Sequence, residues 1–190
     1  AGYQDQTYAE ATLNITGGTF QVGSDAKAGL LYASVIHNDA TLVFDKVDSG
    51  KYAPDTSSVI DGTGKVVKQG VGTVTLSGNN SYTGGTEINA GTLVMAADHA
   101  LGATSSAVTL NGGTLQTSKA FDFTHDLVLG ANGGNFNTGM DVDASGALRG
   151  TGSFTKLGAG DLTLSGDGTA FSGPTTVSAG TLSVDGSLGT

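Results

Sequence analysis

Short runs of alternating apolar and polar residues fill most of this chain. In TVTL, at residues 73–76, Val74 and Leu76 alternate with threonines, and Ile88 and Leu93 each follow a polar residue. An alternation of period two places one set of side chains inward and the other in water. The pattern therefore predicts many short β-strands, each with one buried face.

The strands recur at a regular distance, and related phrases mark their starts. The phrases are GGTF at 17–20, AGTL at 90–93, GGTL at 112–115, GGNF at 133–136 and AGTL at 179–182. From Leu93 to Leu115 to Phe136 the step is about 21 residues, a length typical of solenoid repeats. A second series, predicted to mark another strand in every turn, is TLSG at Thr75, TLNG at Thr109, LVLG at Leu127 and TLSG at Thr163. We therefore predict a parallel β-helix of about nine coils and about 45 Å; a β-propeller is the structural alternative.

Glycine content supports the all-β fold class. The chain has 32 Gly and 2 Pro among 190 residues, without the Gly-X-Y period of collagen. Glycine disfavours helices and fits tight corners between strands.

One long segment occurs twice. GTGKVVKQGVGTVTLSG at 62–78 returns as GTGSFTKLGAGDLTLSG at 150–166, and both copies continue into an aromatic residue, a glycine and AGTL. We expect three regions: N-terminal coils with longer loops at 1–61, including the stretch around Pro54; the first repeat and following coils at 62–149; and the second repeat, truncated, at 150–190.

These two copies resemble the passenger-associated transport repeat of type V secretion autotransporters, in AIDA-type adhesins above all. The positions that carry the resemblance are Gly64, Lys68, Gly70, Gly72, Leu76, Gly78, Tyr82, Gly84, Gly91 and Leu93, and then Gly152, Lys156, Gly158, Gly160, Leu164, Gly166, Phe171, Gly173, Gly180 and Leu182. The resemblance implies a right-handed β-helical passenger exported through its own C-terminal outer-membrane β-barrel, which is not in this chain. The first ten residues lack the features of a signal peptide, so we expect a passenger fragment.

Charge and cysteine content narrow the classes of partner. The net charge is -9 and the 8 basic residues are scattered, which argues against nucleic acid and anionic membrane surfaces as partners. The chain has no Cys, so disulfides and thiolate metal sites are excluded. The longest apolar run, at 28–36, is far shorter than the roughly 20 residues of a membrane-spanning helix.

Two acidic groups are candidates for enzymatic chemistry, because polysaccharide-active enzymes share the β-helix. Asp141 and Asp143 share one face of a strand and lie near Arg149, as in a calcium site beside a cationic base. The other group is Asp122, His125 and Asp126. We interpret both groups as solvated surface of an acidic protein.

Other catalytic and binding motifs are missing from the sequence. The histidines are His37, His99 and His125, none beside a G-x-S-x-G serine, and there is no phosphate-binding loop. Asp161 corresponds to Thr73 in the first repeat, so an array of calcium sites is not expected. We predict no catalytic residue, no cofactor and no metal.

The repeated lysines and aromatic residues allow two interpretations each. Lys68 and Lys156 could contact a carboxylate or a ligand. Alternatively, the aliphatic stem of each lysine covers the next coil, and its ammonium remains hydrated or binds a carbonyl oxygen of a turn. Tyr82 and Phe171 either stack on sugars or pack at a coil corner. We favour the structural interpretation for both pairs.

The favoured function is a non-enzymatic passenger segment of an adhesin at the bacterial cell surface or in secreted form. It would serve as a stalk and as a repeat region that promotes folding and secretion. A face for self-association, or for a host protein or glycan, is part of this hypothesis. The alternatives are a polysaccharide-processing β-helix enzyme and a pure spacer for a binding domain elsewhere.

Overall fold

Every described ladder in the structure joins parallel strands. The computed structural model describes residues 11–24, 31, 33–45, 55–56 and 58–189. In chain order the strands are β1 (Thr12–Ile15), β2 (Thr19–Val22), β3 (Val35–Asn38), β4 (Thr41–Asp45), β5 (Asp55–Thr56), β6 (Val59–Asp61), β7 (Lys65–Gln69), β8 (Thr73–Leu76), β9 (Thr86–Ile88), β10 (Thr92–Met95), β11 (Val108–Leu110), β12 (Thr114–Thr117), β13 (Phe121–Phe123), β14 (Leu127–Leu129), β15 (Gly134–Thr138), β16 (Val142–Ala144), β17 (Leu148–Gly150), β18 (Phe154–Leu157), β19 (Leu162–Leu164), β20 (Thr175–Val177) and β21 (Leu182–Val184). A single 3₁₀ turn, Asp98–Leu101, is the one helical element of the described residues.

The strands form a β-solenoid with three sides. The first sheet stacks β2, β4, β7, β9, β11, β14 and β17; the second stacks β5, β8, β10, β12, β15, β18 and β20. The third side contains β1, β3 and β6 at one end and β13, β16, β19 and β21 at the other. The parallel solenoid confirms the β-helix over the propeller, whereas its handedness and the three predicted regions stay predictions.

The described residues make about seven turns rather than nine, because each long sheet has seven strands. The length of a turn also varies along the chain. The bond from Thr63 to Asp39 joins residues 24 apart in sequence, whereas the bond from Ser187 to Asp167 joins residues 20 apart. The predicted loop around Pro54 and the start of the chain lie outside the described residues.

The apolar residues predicted to recur stack inside the solenoid. Leu93 pairs with Leu115, and Leu115 pairs with Phe136, so the predicted step of about 21 residues is confirmed as one turn. All three side chains are fully buried. Their polar neighbours point outward, which confirms the period-two alternation.

Each phrase of the second series marks a strand, as predicted, but these strands lie on different sides of the solenoid. Thr75 lies on the second sheet, Thr109 and Leu127 on the first, and Thr163 on the third side. The same strand-and-corner sequence therefore fits all three sides.

The two repeat copies also occupy different sides of the solenoid. Each strand of the second copy lies one side further along than the corresponding strand of the first copy. The first copy forms β7 on the first sheet and β8 on the second, while the second copy forms β18 on the second sheet and β19 on the third side. After β7 the chain passes β9, β11, β14 and β17 on the first sheet before it reaches β18. The copies are thus separated by four turns and one further side.

Candidate functional site

The most distinctive feature of the two repeats is a fully buried lysine in each copy. Lys68 stacks in register between Phe44 and Ile88, and Lys156 stacks between Phe136 and Val177. Both lysines are 0% exposed and occupy rows that are otherwise mainly apolar. Each ammonium therefore needs acceptors inside the protein.

The Lys68 ammonium is surrounded by backbone carbonyl oxygens from two consecutive turns. Its Nζ donates to the oxygens of Gln69 at 2.8 Å and Gly70 at 2.7 Å, within its own corner. It also donates to the oxygen of Ala90 at 3.1 Å, in the corner of the next turn. Among the described backbone hydrogen bonds outside the strands, none ends on the oxygens of Gly70 or Ala90. The lysine thus satisfies acceptors that the corners themselves leave open.

Lys156 repeats this arrangement on a different side of the solenoid. Its Nζ donates to the oxygens of Leu157 at 2.8 Å, Gly158 at 2.9 Å and Ala179 at 3.2 Å. We call each set of three bonds a lysine clamp: Lys68 with Gln69, Gly70 and Ala90, and Lys156 with Leu157, Gly158 and Ala179. The clamps explain why each repeat contains K-x-G and, about one turn later, A-G. The glycine of K-x-G and the alanine of A-G each supply an oxygen that the lysine binds.

Burial also lowers the pKa of the lysine in each clamp. Burial lowers the pKa of Lys68 to about 8, and the charge of Asp45 opposes that shift. Burial lowers the pKa of Lys156 as well, with Asp161 opposing. Lys68 is therefore mainly an ammonium at pH 7, the form that can donate three hydrogen bonds.

The aromatic residues of the repeats lie inside the corners. Tyr82 is 0% exposed and Phe171 is 1% exposed, so neither ring offers a surface on which a sugar could stack. The Tyr82 hydroxyl lies 2.6 Å from Thr86 Oγ1. Burial raises the pKa of Tyr82, which keeps the hydroxyl protonated as a hydrogen-bonding group.

Asp141, Asp143 and Arg149 do not form one site. Arg149 contacts Asp126 at 3.0 Å on the first sheet, between two exposed side chains. Asp141 accepts from the backbone N–H of Asp161 at 3.0 Å, and Asp143 accepts from Ser165 Oγ at 2.6 Å on the third side. The predicted cationic partner is thus engaged elsewhere.

The second acidic group is also dispersed. Asp122 is exposed on β13, Asp126 pairs with Arg149, and His125 is fully buried against backbone carbonyls. Asp122, Asp141, Asp143 and Asp161 line a shallow open groove of about 530 Å³ on the third side. Within the described residues, no group of three or more His, Cys, Asp or Glu side chains is arranged to hold a metal ion.

Sequence patterns did not identify the buried asparagines that also join turns. Asn80 is 4% exposed and links the turns before and after it, and Asn38 is 0% exposed and donates to the oxygen of Lys65 at 3.0 Å. Neither position has an apolar period, and asparagine in a turn is normally a surface residue. Only the stacking of turns shows that these two amides are buried.

Comparison with known proteins agrees with this architecture. The passenger-associated transport repeat matches residues 66–95 and 154–184, and these segments include both lysine clamps. The adhesin BmaC autotransporter of Brucella suis biovar 1 (strain 1330) is 40% identical over 140 residues. That alignment covers 71% of this chain and 4% of the relative, so the chain spans a small part of that adhesin's length.

No solved structure matches the chain. In the part of the chain that the structure describes, no helix has the length and apolar character needed to cross a membrane. The chain carries two passenger-associated transport repeats and is similar, over most of its own length, to a segment of an autotransporter adhesin.

Proposed function

We propose that this chain is a non-enzymatic structural segment of a surface-exposed autotransporter passenger, a stalk whose two repeats promote folding during export. The observation that carries the proposal is the pair of lysine clamps. Each clamp joins one turn to the next through part-buried hydrogen bonds, so a completed turn presents an ammonium N–H that is ready for the carbonyl oxygen of the following corner. Successive closure of turns opposes back-sliding of an emerging chain.

The displacement of the repeats by one side favours packing over recognition as their role. Outward residues of the first copy lie on the first and second sheets, and those of the second copy lie on the second sheet and third side. A ligand that recognised the outer surface of the repeat would meet the two copies on different sides of the stalk. The three bonds of the lysine clamp, in contrast, are the same in both copies.

Surface yield tests this proposal. We expect Lys68→Met combined with Lys156→Met to lower the amount of chain exposed on cells several-fold when it is displayed through an autotransporter barrel. Lys65→Met with Lys119→Met is the matched control, because Lys65 is a half-exposed residue of β7 and Lys119 is exposed. Total synthesis is measured beside protease-accessible surface chain. Equal surface yields for the two double variants would contradict a role of the clamps in export.

A second function, self-association, is supported by the outer surface of the second sheet. From β8 to β20 this surface, the neutral face, carries no charged side chain. It consists of Thr73, Thr75, Thr92, Val94, Thr114, Gln116, Asn135, Asn137, Thr155, Leu157 and Thr176. The outward residues of the first sheet include Lys65, Glu87 and Arg149, and those of the third side include Asp122 and Asp143.

The partner that fits the neutral face best is a second copy of the chain. At a net charge of -9 two copies repel each other, and they do so least where both surfaces are uncharged. Threonine, asparagine and glutamine side chains both donate and accept, and both copies have the same spacing of about 4.8 Å between strands. A glycan site usually offers an aromatic platform, and no aromatic residue lies on this face.

The size of the neutral face limits its affinity. Six strands at about 4.8 Å give a length of about 25 Å, and a width of about 10 Å gives about 250 Å² for each partner. Stable interfaces bury about 800 Å² on each side, so a single pair of chains would associate weakly. Association would become strong only where many copies are displayed together.

Clumping of chain-coated beads tests the self-association proposal. We expect Thr114→Glu with Thr155→Glu to abolish clumping at 0.15 M salt, because the new charges on opposing copies repel each other. Thr109→Glu, a half-buried outward threonine of the first sheet, is the control and should clump like the wild type. Wild-type clumping should increase with salt, since screening weakens the repulsion between acidic chains. Equal clumping of all variants would contradict the assignment of this face, and absence of wild-type clumping would leave the stalk as the function.

A further inference from the structure

The third side of the solenoid loses its strands between β6 and β13. Residues 80–81 and then the 3₁₀ turn Asp98–Leu101 occupy this side in place of strands. The first and second sheets continue through the same turns as unbroken ladders of seven strands each. The hydrogen bonds across this stretch therefore decide how firmly the third side is held.

Backbone and amide hydrogen bonds attach the 3₁₀ turn to the turn before it. The backbone N–H of Asn80 donates to the oxygen of His99 at 3.1 Å, and its side-chain Nδ2 donates to the oxygen of Ala100 at 2.6 Å. Just after the 3₁₀ turn, the N–H of Ala103 donates to the oxygen of Tyr82 at 3.0 Å. On this flank the missing strand is replaced by equivalent bonds.

The attachment of the 3₁₀ turn to the following turn is different. Among the described backbone hydrogen bonds, none joins residues 98–101 to residues 121–125. Every other pair of consecutive turns on the third side, within the described residues, shares at least one backbone hydrogen bond or a strand ladder. The edge of β13 that faces the 3₁₀ turn therefore has no ladder.

Ordinary backbone bonds enclose this unpaired stretch on both sides. Where the chain leaves the second sheet, the N–H of Ser118 donates to the oxygen of Met95 at 3.1 Å. Where it enters the first sheet, the N–H of Val108 donates to the oxygen of Asp126 at 2.9 Å. The interruption is thus confined to the third side.

Side chains alone make the hydrogen bonds across the interruption. The Asp98 carboxylate accepts from the backbone N–H and the hydroxyl of Thr124, at 3.0 and 2.6 Å. The ring nitrogens of His125 lie 2.9 Å from the oxygen of Ser106 and 3.2 Å from the oxygen of Asp98. A neutral ring donates to one of these two oxygens, whichever nitrogen carries the proton. The carboxylate of Asp98 thus supplies two bonds that do not depend on the tautomer.

We infer that the interface between the 3₁₀ turn and β13 is a flexural joint of the rod, and that the side chain of Asp98 holds it closed. When the joint opens, two turns separate on the third side while the first and second sheets keep them together. The rod then bends with its third side on the outer curve. Segments with few backbone hydrogen bonds open locally at a lower free energy than continuous ladders. This inference does not depend on the proposed function.

Hydrogen exchange of the 190-residue chain, followed for single amides by NMR, tests the joint. The amides of Asn80, Thr124 and Ser145 each bond to the neighbouring turn on the third side, before, at and after the joint. After correction for intrinsic rates, we expect Thr124 to be at least about tenfold less protected than the other two. Equal protection of the three amides would overturn the inference.

Asp98→Ala tests which residue holds the joint closed. The Thr124 amide loses its acceptor in this variant, so the informative amides are those of Ser118 and Val108, at the two borders of the joint. We expect their protection to fall several-fold, because opening of the joint now spreads to its borders. A role of Asp98 restricted to its own hydrogen bonds would leave both border amides unchanged, and that result would overturn the inference.

The matched control is Asp122→Ala, which removes an exposed carboxylate from β13 itself. We expect it to leave the border amides as in the wild type. In Asp98→Ala the amides of Asn80 and Ser145 should keep their protection, since they lie in the adjoining interfaces. A uniform loss at all these amides would indicate general destabilisation and would also contradict the joint. If Asp98→Ala does not fold, the comparison of the three wild-type amides still decides.

Discussion

Lys68→Met is expected to lower the free energy of unfolding by about 2–4 kcal/mol at pH 7, because backbone carbonyl oxygens of two turns lose their hydrogen-bond donor. The methionine preserves most of the apolar stem between Phe44 and Ile88 and removes only the ammonium. The partly buried oxygens of Gly70 and Ala90 then lose their donor, at up to about 1–3 kcal/mol each. Relief from burying a charge offsets part of this loss.

Denaturant unfolding of the variant and its control measures the effect. Lys65→Met changes a residue of the same strand whose side chain is 46% exposed and pairs with Glu87, so we expect a change of about 0.5 kcal/mol or less. At about 2–4 °C per kcal/mol, Lys68→Met should lower the melting temperature by about 10 °C. Equal stabilities of the two variants would show that the clamp contributes nothing beyond the packing of its stem.

The lysine of the second repeat allows the same unfolding experiment at an independent site. Lys156→Met should cost about as much as Lys68→Met, because its three acceptors have the same positions relative to the lysine. The two sites are four turns apart, so their effects should add in the double variant. A much smaller cost at Lys156 would mean that the terminal turns open independently of the rest.

Gly91→Ala is expected to be at least as damaging as loss of one hydrogen bond of the clamp. Gly91 has a φ of +63°, where a side chain costs about 1–2 kcal/mol. An added Cβ would also overlap the oxygens of Gly70 and Gly72 and lie 2.7 Å from Lys68 Nζ. Overlap of this kind in a packed interior costs a further 1–3 kcal/mol or so, and we expect a total of about 3 kcal/mol.

Gly18→Ala, measured in the same unfolding experiment, separates the cost of backbone conformation from the cost of overlap with neighbouring atoms. Gly18 has a similar φ of +71°, but nothing lies within 4 Å of the position that a Cβ would take. This control measures the cost of backbone conformation alone, about 1–2 kcal/mol. Equal losses for Gly91→Ala and Gly18→Ala would exclude crowding at the clamp, and the requirement for glycine in the A-G-T-L phrase would then be conformational only.

The position of Gly91 shows why the A-G of the repeat belongs to the clamp. Ala90 contributes the oxygen that Lys68 binds, and Gly91 lets the corner approach without a side chain. Gly180, with a φ of +65°, follows Ala179 in the same way beside Lys156. The lysine and the later A-G are separated by about one turn in sequence and are adjacent in space.

The sequence by itself determined the strands and the length of a turn. Alternation of period two is a local property, and a fixed step of about 21 residues makes Leu93, Leu115 and Phe136 neighbours once each turn returns to the same side. Glycine-rich corners excluded long helices for a local reason as well, the conformational cost of glycine. The long repeat was visible as a repeat of letters, and its resemblance to a known family came from those letters alone.

Only the tertiary structure decided which side each phrase occupies and which polar residues are buried. A one-side displacement depends on the summed length of every corner between the copies, so small differences accumulate along the chain and move Lys156 to the second sheet while Lys68 is on the first. The ammonium of a lysine is normally exposed, and its burial depends on carbonyls of the next turn, 22 residues away for Ala90. The His125 ring likewise contacts two backbone carbonyl oxygens from residues 19 and 27 positions away. These contacts are non-local, because they form only when one turn is stacked on another.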